Sequence, residues 1–380
     1  MISIESAPVQ ESARQVGVIL FGVGALGSLV LKCLDTGYPL IRVVGAVDHA
    51  ADKVGRPLAE LHPGPAAAGG VVVRDTLAAC LADCRDQAGV VYHLTESVPS
   101  HIEGQLTEAL AAGLDVISAS EAMFHPALRY ADFAARIDAA ARAAGVSIMG
   151  VGINPGFSFD SVPLALARAT SGVRRVTISR AIDVTGTGPG DIDHVGYGLW
   201  PDEFHRKIAA GRIVGHMGMP ESIAAVAERL GMEIDRVEET WEVETADVAV
   251  DSGAPALGMI APGRVIGITQ TGAGRLGEAT VITMRLLMYY QPDRFGIDLA
   301  DTIDIEGAHH IRASIRPAAL SLFGAANTIV NATHDVIAAP PGLGNILDAG
   351  VAGIRRGGFR YELDPAPAPR GVVRLRRAAV

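Results

Sequence analysis

The chain has 380 residues, enough for about two domains of ordinary size. With 49% hydrophobic and 19% charged residues, its composition excludes a disordered or fibrous chain. The 42 Asp and Glu outweigh the 32 Lys and Arg, and a net charge of -10 disfavours both nucleic acid and an anionic membrane as partners. Cys33, Cys80 and Cys84 are too few and too oddly spaced for a disulfide framework or a zinc site. They read as buried thiols of a protein kept in a reducing cytoplasm, and no metal is expected.

Residues 1–15 are polar and aperiodic, the expectation being a frayed leader. The apolar run from Val16 to Leu31 is too short to span a bilayer comfortably, and no small-residue cleavage site closes it. Up to residue 152, β-branched runs at 16–21, 43–48, 71–74, 89–95, 114–118 and 146–151 alternate with helical patterns at 25–35, 76–85, 101–112 and 127–144. Such alternation predicts a parallel sheet of βαβ units. From 153 to 317 consecutive strand patterns take over, at 173–184, 234–250, 263–272, 277–290 and 301–307. Helical patterns at 158–170, 202–211 and 220–231 accompany them, so a second α+β domain with a mixed or antiparallel sheet is predicted. A helix over 318–339, within a segment 318–350, is expected to return to the first domain. The Pro-rich stretch with a basic end at 365–380 is read as a tail without chemistry.

The first strand runs into Gly22-Val23-Gly24-Ala25-Leu26-Gly27, and a helix starts at once. In that context the first glycine makes a tight turn, the second lets the backbone approach a pyrophosphate, and the third lets helix and strand pack closely. The phosphates then meet the N–H groups of the helix N-terminus, with Ala25 and Leu26 in its first turn. The second strand ends on Asp48, 21 positions after Gly27, where a carboxylate reaches the adenosine ribose. This is the pattern of a Rossmann-type, doubly wound domain binding NAD or NADP. Asp48 favours NAD, whereas Lys53 and Arg56 could fold over the phosphate of NADP.

Ligands of such sheets collect at the carboxyl ends of the strands. Thr95 and Asn154 stand there and suit hydrogen bonding to the nicotinamide ribose or carboxamide, although Asn-Pro-Gly is equally a turn former. Glu121 follows a buried strand and precedes Met123, Phe124 and Pro126, a setting that favours proton transfer. Its alternative role is a carboxylate at the start of a helix. His194, Tyr197 and Trp200 form an aromatic, Gly-rich patch suited to a substrate pocket. His216 is read as a turn or packing residue, and Asp160, Asp183 and Asp191 as caps or surface groups.

Gly22 to Gly27, Gly45 to Asp48, Ser120-Glu121, Gly152-Ile153-Asn154-Pro155-Gly156-Phe157, Gly215-His216-Met217-Gly218, Asn331 and Pro341-Gly342-Leu343 together resemble the 2,4-diaminopentanoate dehydrogenases and native amine dehydrogenases, over about residues 15–350. The first part alone is also similar to 4-hydroxy-tetrahydrodipicolinate reductase, but that family's His-His-Lys and Pro-Ser-Gly-Thr segments are missing. The resemblance implies reversible oxidative deamination of a primary amine or amino acid, or reductive amination of a small carbonyl compound with ammonia. It also implies Glu121 as the catalytic acid–base, Ile153 and Phe157 in the pocket, and a homodimer formed through the second domain's sheet. His194 stands where relatives often carry Lys, which favours a substrate without a carboxylate. The alternatives are a reductase of another carbonyl or cyclic imine, and a dinucleotide-binding sensor without turnover.

Overall fold

The computed structural model describes residues 15–67, 69–185, 192, 195–349, 359–364, 366 and 369–379. The β-branched runs of the first part form β1 (Val16–Phe21), β2 (Ile41–Val47), β3 (Val73–Arg74), β4 (Ala88–His93), β5 (Asp115–Ser118) and β6 (Ser147–Gly150). These six pair in parallel in the order β6-β5-β4-β1-β2-β3, and a later strand, β15 (Gly342–Asn345), extends the sheet beside β6. From β1 the chain winds outward through β2 and β3, then returns to β4 on the other side. The crevice between the carboxyl ends of β1 and β4 is therefore the switch point where such sheets bind ligands.

The strand β15 (Gly342–Asn345) pairs with β6 and was not predicted. Gly-Leu-Gly-Asn carries no β-branched residue, and the Pro-Pro-Gly before it reads as a stop. The helix expected over 318–339 is broken at Ala332 into Ser321–Asn331 and Thr333–Ala338. Its buried face, Ala326, Ile329, Val330 and Val336, packs into the same core as Val18, Leu20 and Val30 of the first domain. The Tyr92 hydroxyl meets Thr333 Oγ1 at 2.6 Å inside that contact.

The second sheet has eight strands in the order β14-β13-β7-β12-β11-β8-β17-β16. They are β7 (Arg175–Asp183), β8 (Arg236–Thr245), β11 (Val265–Leu276), β12 (Ala279–Tyr289), β13 (Asp301–Glu306), β14 (His310–Ile315), β16 (Phe359–Leu363) and β17 (Val372–Ala379). Only β7 and β12 pair in parallel, so the sheet is mixed. The strand expected at 234–250 stops at Thr245. A separate ribbon of β9 (Val250–Asp251) and β10 (Met259–Ile260) follows. The stretch read as a tail contains β17, whose Val372–Arg374 pair with Arg236–Glu238. Its alternating VVRLRR pattern fits the open edge of β8, a signal hidden by the prolines before it.

The helix Met219–Leu230 covers the inner face of this sheet. A Cβ on Gly272 would come within 2.6 Å of Met219 Cγ, so the missing side chain lets helix and sheet approach. The helix expected at 158–170 is the shorter Val162–Ala167, entered through a π-helical turn, Phe157–Ser161.

Arg180 of β7 and Asp301 of β13 form an ion pair with side-chain exposures of 1% and 0%. The guanidinium NH1 group donates to Asp301 at 2.7 and 2.9 Å and to Ser158 Oγ at 3.2 Å. Its NH2 group donates to the Ala319 carbonyl at 2.5 Å, and Asp301 accepts from Ala319 N–H at 3.1 Å. Removing one partner strands the other charge in the core, which typically costs about 3–5 kcal/mol. Asp301→Ala is therefore expected to lower unfolding stability by about that amount. The Asp301→Leu, Arg180→Met double variant is expected to recover most of it, as read by urea denaturation; equal losses in both variants would disprove this.

Candidate active site

Three glycines make the first half of the site. Gly22 has φ +108°, and a Cβ there would lie 2.8 Å from the Leu94 carbonyl oxygen. A Cβ on Gly27 would lie 2.6 Å from the Gly22 carbonyl, so helix Ala25–Asp35 can sit against β1 only without one. Gly24 differs: among the described residues nothing lies within 4 Å of where its Cβ would be, and no side chain caps that helix end. Such a cradle fits a dinucleotide diphosphate.

Asp48 borders this cradle. Its Oδ2 accepts from Val23 N–H at 3.0 Å and from Lys53 Nζ at 2.9 Å, and its Oδ1 accepts from Ala50 N–H at 2.9 Å. Burial alone would raise the carboxyl, but the hydrogen bonds from Ala50, Lys53 and Val23 outweigh it and hold it below its usual range. His62, which sequence reading passed over, closes the loop from the other side. Its ring contacts Ser28 Oγ at 2.5 Å and the Val23 carbonyl at 3.2 Å.

The second half gathers at the ends of β4, β5 and β6. Thr95 is exposed, and its hydroxyl reaches His93 Nε2 at 2.9 Å and Gln105 Oε1 at 3.0 Å. Glu121 opens a single 3-10 turn after β5, and its N–H donates to Ser97 Oγ at 3.1 Å. Its carboxylate Oε1 stands 3.6 Å from His216 Nε2, and Asn154 Nδ2 stands 3.5 Å from the same nitrogen. The structure thus brings Glu121, Asn154 and His216 together. His216 does sit at a turn, as its sequence context suggests, and its ring also faces Glu121 and Asn154, which the sequence reading does not anticipate. Gly215 has φ +71°, and a Cβ there would lie 2.5 Å from Gln270 Oε1 and 2.7 Å from Trp241 Nε1.

Gln270, fully buried in β11, holds His216 by both backbone groups. Its Oε1 accepts from His216 N–H at 2.7 Å, while its Nε2 donates to the His216 carbonyl at 3.0 Å and to Glu239 Oε1 at 2.9 Å. Burial pushes the Glu239 carboxyl up to about 7. The Asn154 loop is anchored similarly, by Asp160 accepting from Gly156 N–H at 2.7 Å and Ser161 donating to the Gly156 carbonyl at 2.6 Å. Asp160 is fully buried rather than a cap or surface group, and burial raises its carboxyl to about 6. A lone Gln among the apolar residues of VIGITQTG was the available signal for this half of the site.

The remaining pocket candidates are dispersed. Ile153 is buried against Gly324 of helix Ser321–Asn331, and Phe157 is half-buried at the start of the π-helical turn. Tyr197 lies in the second domain's core, edge-on to Tyr290 at 4.9 Å. Trp200 is 49% exposed, with the Arg264 guanidinium 4.5 Å above its ring. His194 and Asp191 fall outside the described residues; Asp183 is exposed and accepts from Thr185. Among the described residues no group of His, Cys, Asp and Glu could hold a metal ion, and no helix is long and apolar enough to cross a membrane.

The profile of the 2,4-diaminopentanoate dehydrogenase C-terminal domain matches residues 157–363, more than half of the chain. The chain belongs to the 2,4-diaminopentanoate dehydrogenase family. The 2,4-diaminopentanoate dehydrogenase of Acetoanaerobium sticklandii is 26% identical over 355 residues, covering 91% of this chain and 97% of that one. An amine dehydrogenase of Streptomyces virginiae is 24% identical over 237 residues, or 62% and 65% of the two chains. Among solved structures, the amine dehydrogenase from Mycobacterium smegmatis superimposes with a TM-score of 0.73 at 24% identity, covering 87% of this chain and 95% of that one. GenD2 from gentamicin A biosynthesis, solved in complex with NAD, gives a TM-score of 0.51 at 17% identity, covering 93% and 94%; at these identities the likeness is one of fold. Members of this family are oxidoreductases, and so is this chain.

The carboxyl behind His216 gives the site a pH signature. Because folding raises Glu239 from an ordinary 4.5 to about 7, its contribution to stability is present below about pH 4.5 and is lost as pH rises toward 7. Glu239→Gln keeps the acceptor for Gln270 and removes the charge. It is expected to stabilise the protein by about 1–3 kcal/mol at pH 8 and by little at pH 4.5, as checked by denaturation at the two values; a variant less stable at pH 8 would contradict the burial of that charge.

Proposed function

We propose that the chain is an NAD-linked amine dehydrogenase, interconverting a primary amine or amino acid with the corresponding carbonyl compound and ammonia, with Glu121 as its acid–base group. The observation that carries this is the meeting of Glu121, Asn154 and His216 beside the crevice of a dinucleotide fold, in a chain that belongs to the 2,4-diaminopentanoate dehydrogenase family. The dinucleotide supplies or accepts the hydride. In deamination the amine carbon loses a hydride and its nitrogen a proton, water adds to the imine, and ammonia leaves; amination is the reverse. What the protein adds is position and proton transfer. The Gly24 cradle takes the diphosphate, Asp48 takes the ribose hydroxyls, and Thr95 and Asn154 bracket the nicotinamide end. Glu121 Oε1 accepts a proton from the nitrogen as it becomes an imine and returns one to the departing hydroxyl in the aminating direction. Ile153 and Phe157, next to Asn154 in the chain, remain the candidates for the substrate's apolar contacts, whereas the buried Tyr197 and the exposed Trp200 are dispersed from them.

Ammonia dependence separates this reading from a plain carbonyl reductase. Carbonyl compounds with NADH are expected to oxidise it only when ammonium is present, read at the nicotinamide absorbance; oxidation without ammonium would overturn the reading. Glu121→Gln preserves size without exchanging a proton, and the expected loss in turnover is about 10²–10⁴-fold with cofactor affinity retained. Retention of more than about a tenth of parental turnover would remove Glu121 from the chemistry.

For the cofactor, NAD is expected to bind at least as tightly as NADP, because Asp48 repels an added phosphate. Lys53, held on Asp48 at 2.9 Å, is the residue that would turn to NADP. Asp48→Asn is therefore expected to narrow or invert the preference in fluorescence titrations, and an unchanged ratio would show that Asp48 does not read the ribose. The family resemblance also supports a homodimer through the second domain's sheet, to be measured by light scattering, and the three sparse, unpaired cysteines suit a reducing cytoplasm.

A further inference from the structure

His93 is the last residue of β4, 1% exposed beneath the site, and the function as proposed does not use it. Its ring has a polar partner on each side. Nε2 lies 2.8 Å from Gln105 Oε1 and 2.9 Å from Thr95 Oγ1, while Nδ1 lies 2.9 Å from Ser118 Oγ. Gln105 Oε1 is an acceptor, so Nε2 carries the hydrogen and Nδ1 accepts from the Ser118 hydroxyl. Ser118 Oγ in turn accepts from Ser120 N–H at 3.2 Å, and Ala119 N–H donates to the His93 carbonyl at 2.9 Å. Burial holds the imidazole neutral, with its pKa pushed down to about 4. The ring therefore keeps one donor and one acceptor at neutral pH.

Both chains of contacts end at the site. On one side is the Thr95–Ser97 turn, whose Ser97 hydroxyl accepts the Glu121 N–H; on the other are Ser118 and Ser120, which lead directly into Glu121. We propose that His93 is a positioning residue that joins the ends of β4 and β5 into one rigid unit, fixing Glu121 and Thr95 relative to each other. The inference rests on the assignment of Glu121 made above.

The test uses the full chain and four variants. His93→Phe keeps a flat ring and removes both polar partners, whereas His93→Asn leaves an amide oxygen near the place of Nδ1 for Ser118. Ser118→Ala cuts the link to Ser120 with little loss of volume, and the fourth is the Phe and Ala changes combined. Hydrogen exchange is followed in the segments 94–98 and 118–124, together with kcat, KM and the pH dependence of kcat. Faster exchange in both segments together is expected for His93→Phe and for Ser118→Ala, with a fall of about 10–100-fold in kcat. Cofactor affinity should fall by less than kcat, because the Thr95 contact is disturbed while the diphosphate cradle is not, and the acidic limb of the pH profile should move, because Glu121 is displaced. His93→Asn should regain part of the loss, and the combined variant should be no slower than His93→Phe. Faster exchange confined to one segment, or unchanged exchange in Ser118→Ala, overturns the proposal, as does kcat loss without any change in the pH profile. If His93→Phe does not fold, Ser118→Ala decides. Absence of ammonia-dependent turnover in the parent chain overturns the role of Glu121 instead, and the exchange measurements still decide whether His93 joins the two strand ends.

Discussion

The buried ion pair between Arg180 and Asp301 is the constraint on which the arrangement of the two domains depends. One pair of charges reaches both places where the chain crosses between domains. Ser158 follows the loop that carries Asn154, and Ala319 and Ser321 begin the helix that returns to the first domain. The two charges meet across β7 and β13, and their remaining hydrogen-bonding capacity is met by Ser158 after the loop and by Ala319 and Ser321 at the start of the returning helix, which ties both crossings to the sheet. Asn154 comes from the first crossing and His216 from the second domain, while Glu121 belongs to the first domain. Their meeting within 3.6 Å therefore follows from how firmly the crossings are tied.

Around that frame, the site is built by side chains that hold backbone rather than by side chains that reach outward. Gln270 holds His216, Asp160 holds Gly156, and Asp48 and His62 hold the two ends of the Val23 residue's peptide groups. Several of these anchors are acids or amides in the interior, where an unmet polar group is expensive and a met one is rigid. The raised carboxyls of Glu239 and Asp160 are the electrostatic consequence. Preorganisation of this kind is what a site needs when proton and hydride must move between fixed points.

The nucleotide half was legible in the sequence because its constraints are local. The spacing of Gly22, Gly24 and Gly27 is set by one turn and one helix, and the structure gives each glycine its own steric reason. That six strands pair in parallel followed from the alternation of strand and helix patterns, while their order did not. His216, Gln270 and His93 were not legible as a set, because their meaning lies in contacts between residues far apart in the chain. His93 is bonded to Ser118, 25 residues on, and Gln270 to His216, 54 residues back. Strand β15 escaped for a related reason, since Gly342–Asn345 becomes a strand by pairing with β6 rather than by its own propensity. Tyr197 and Trp200 stand close in sequence, yet the fold buries one and exposes the other.

The addition of β15 and the helix Ser321–Asn331 to the first sheet has a consequence for how the chain can mature. A protein made from its N-terminus finishes β6 long before β15 exists, so the nucleotide half waits with an open sheet edge and an uncovered apolar face around Val18, Leu20 and Val30. Strands β7 to β14 are inserted in the chain between the two parts of the first sheet. The nucleotide domain is thus discontinuous in the gene: a fragment ending near residue 152 would lack both its last strand and the helix that closes its core. Recombination that exchanged only the N-terminal segment would leave out that strand and that helix.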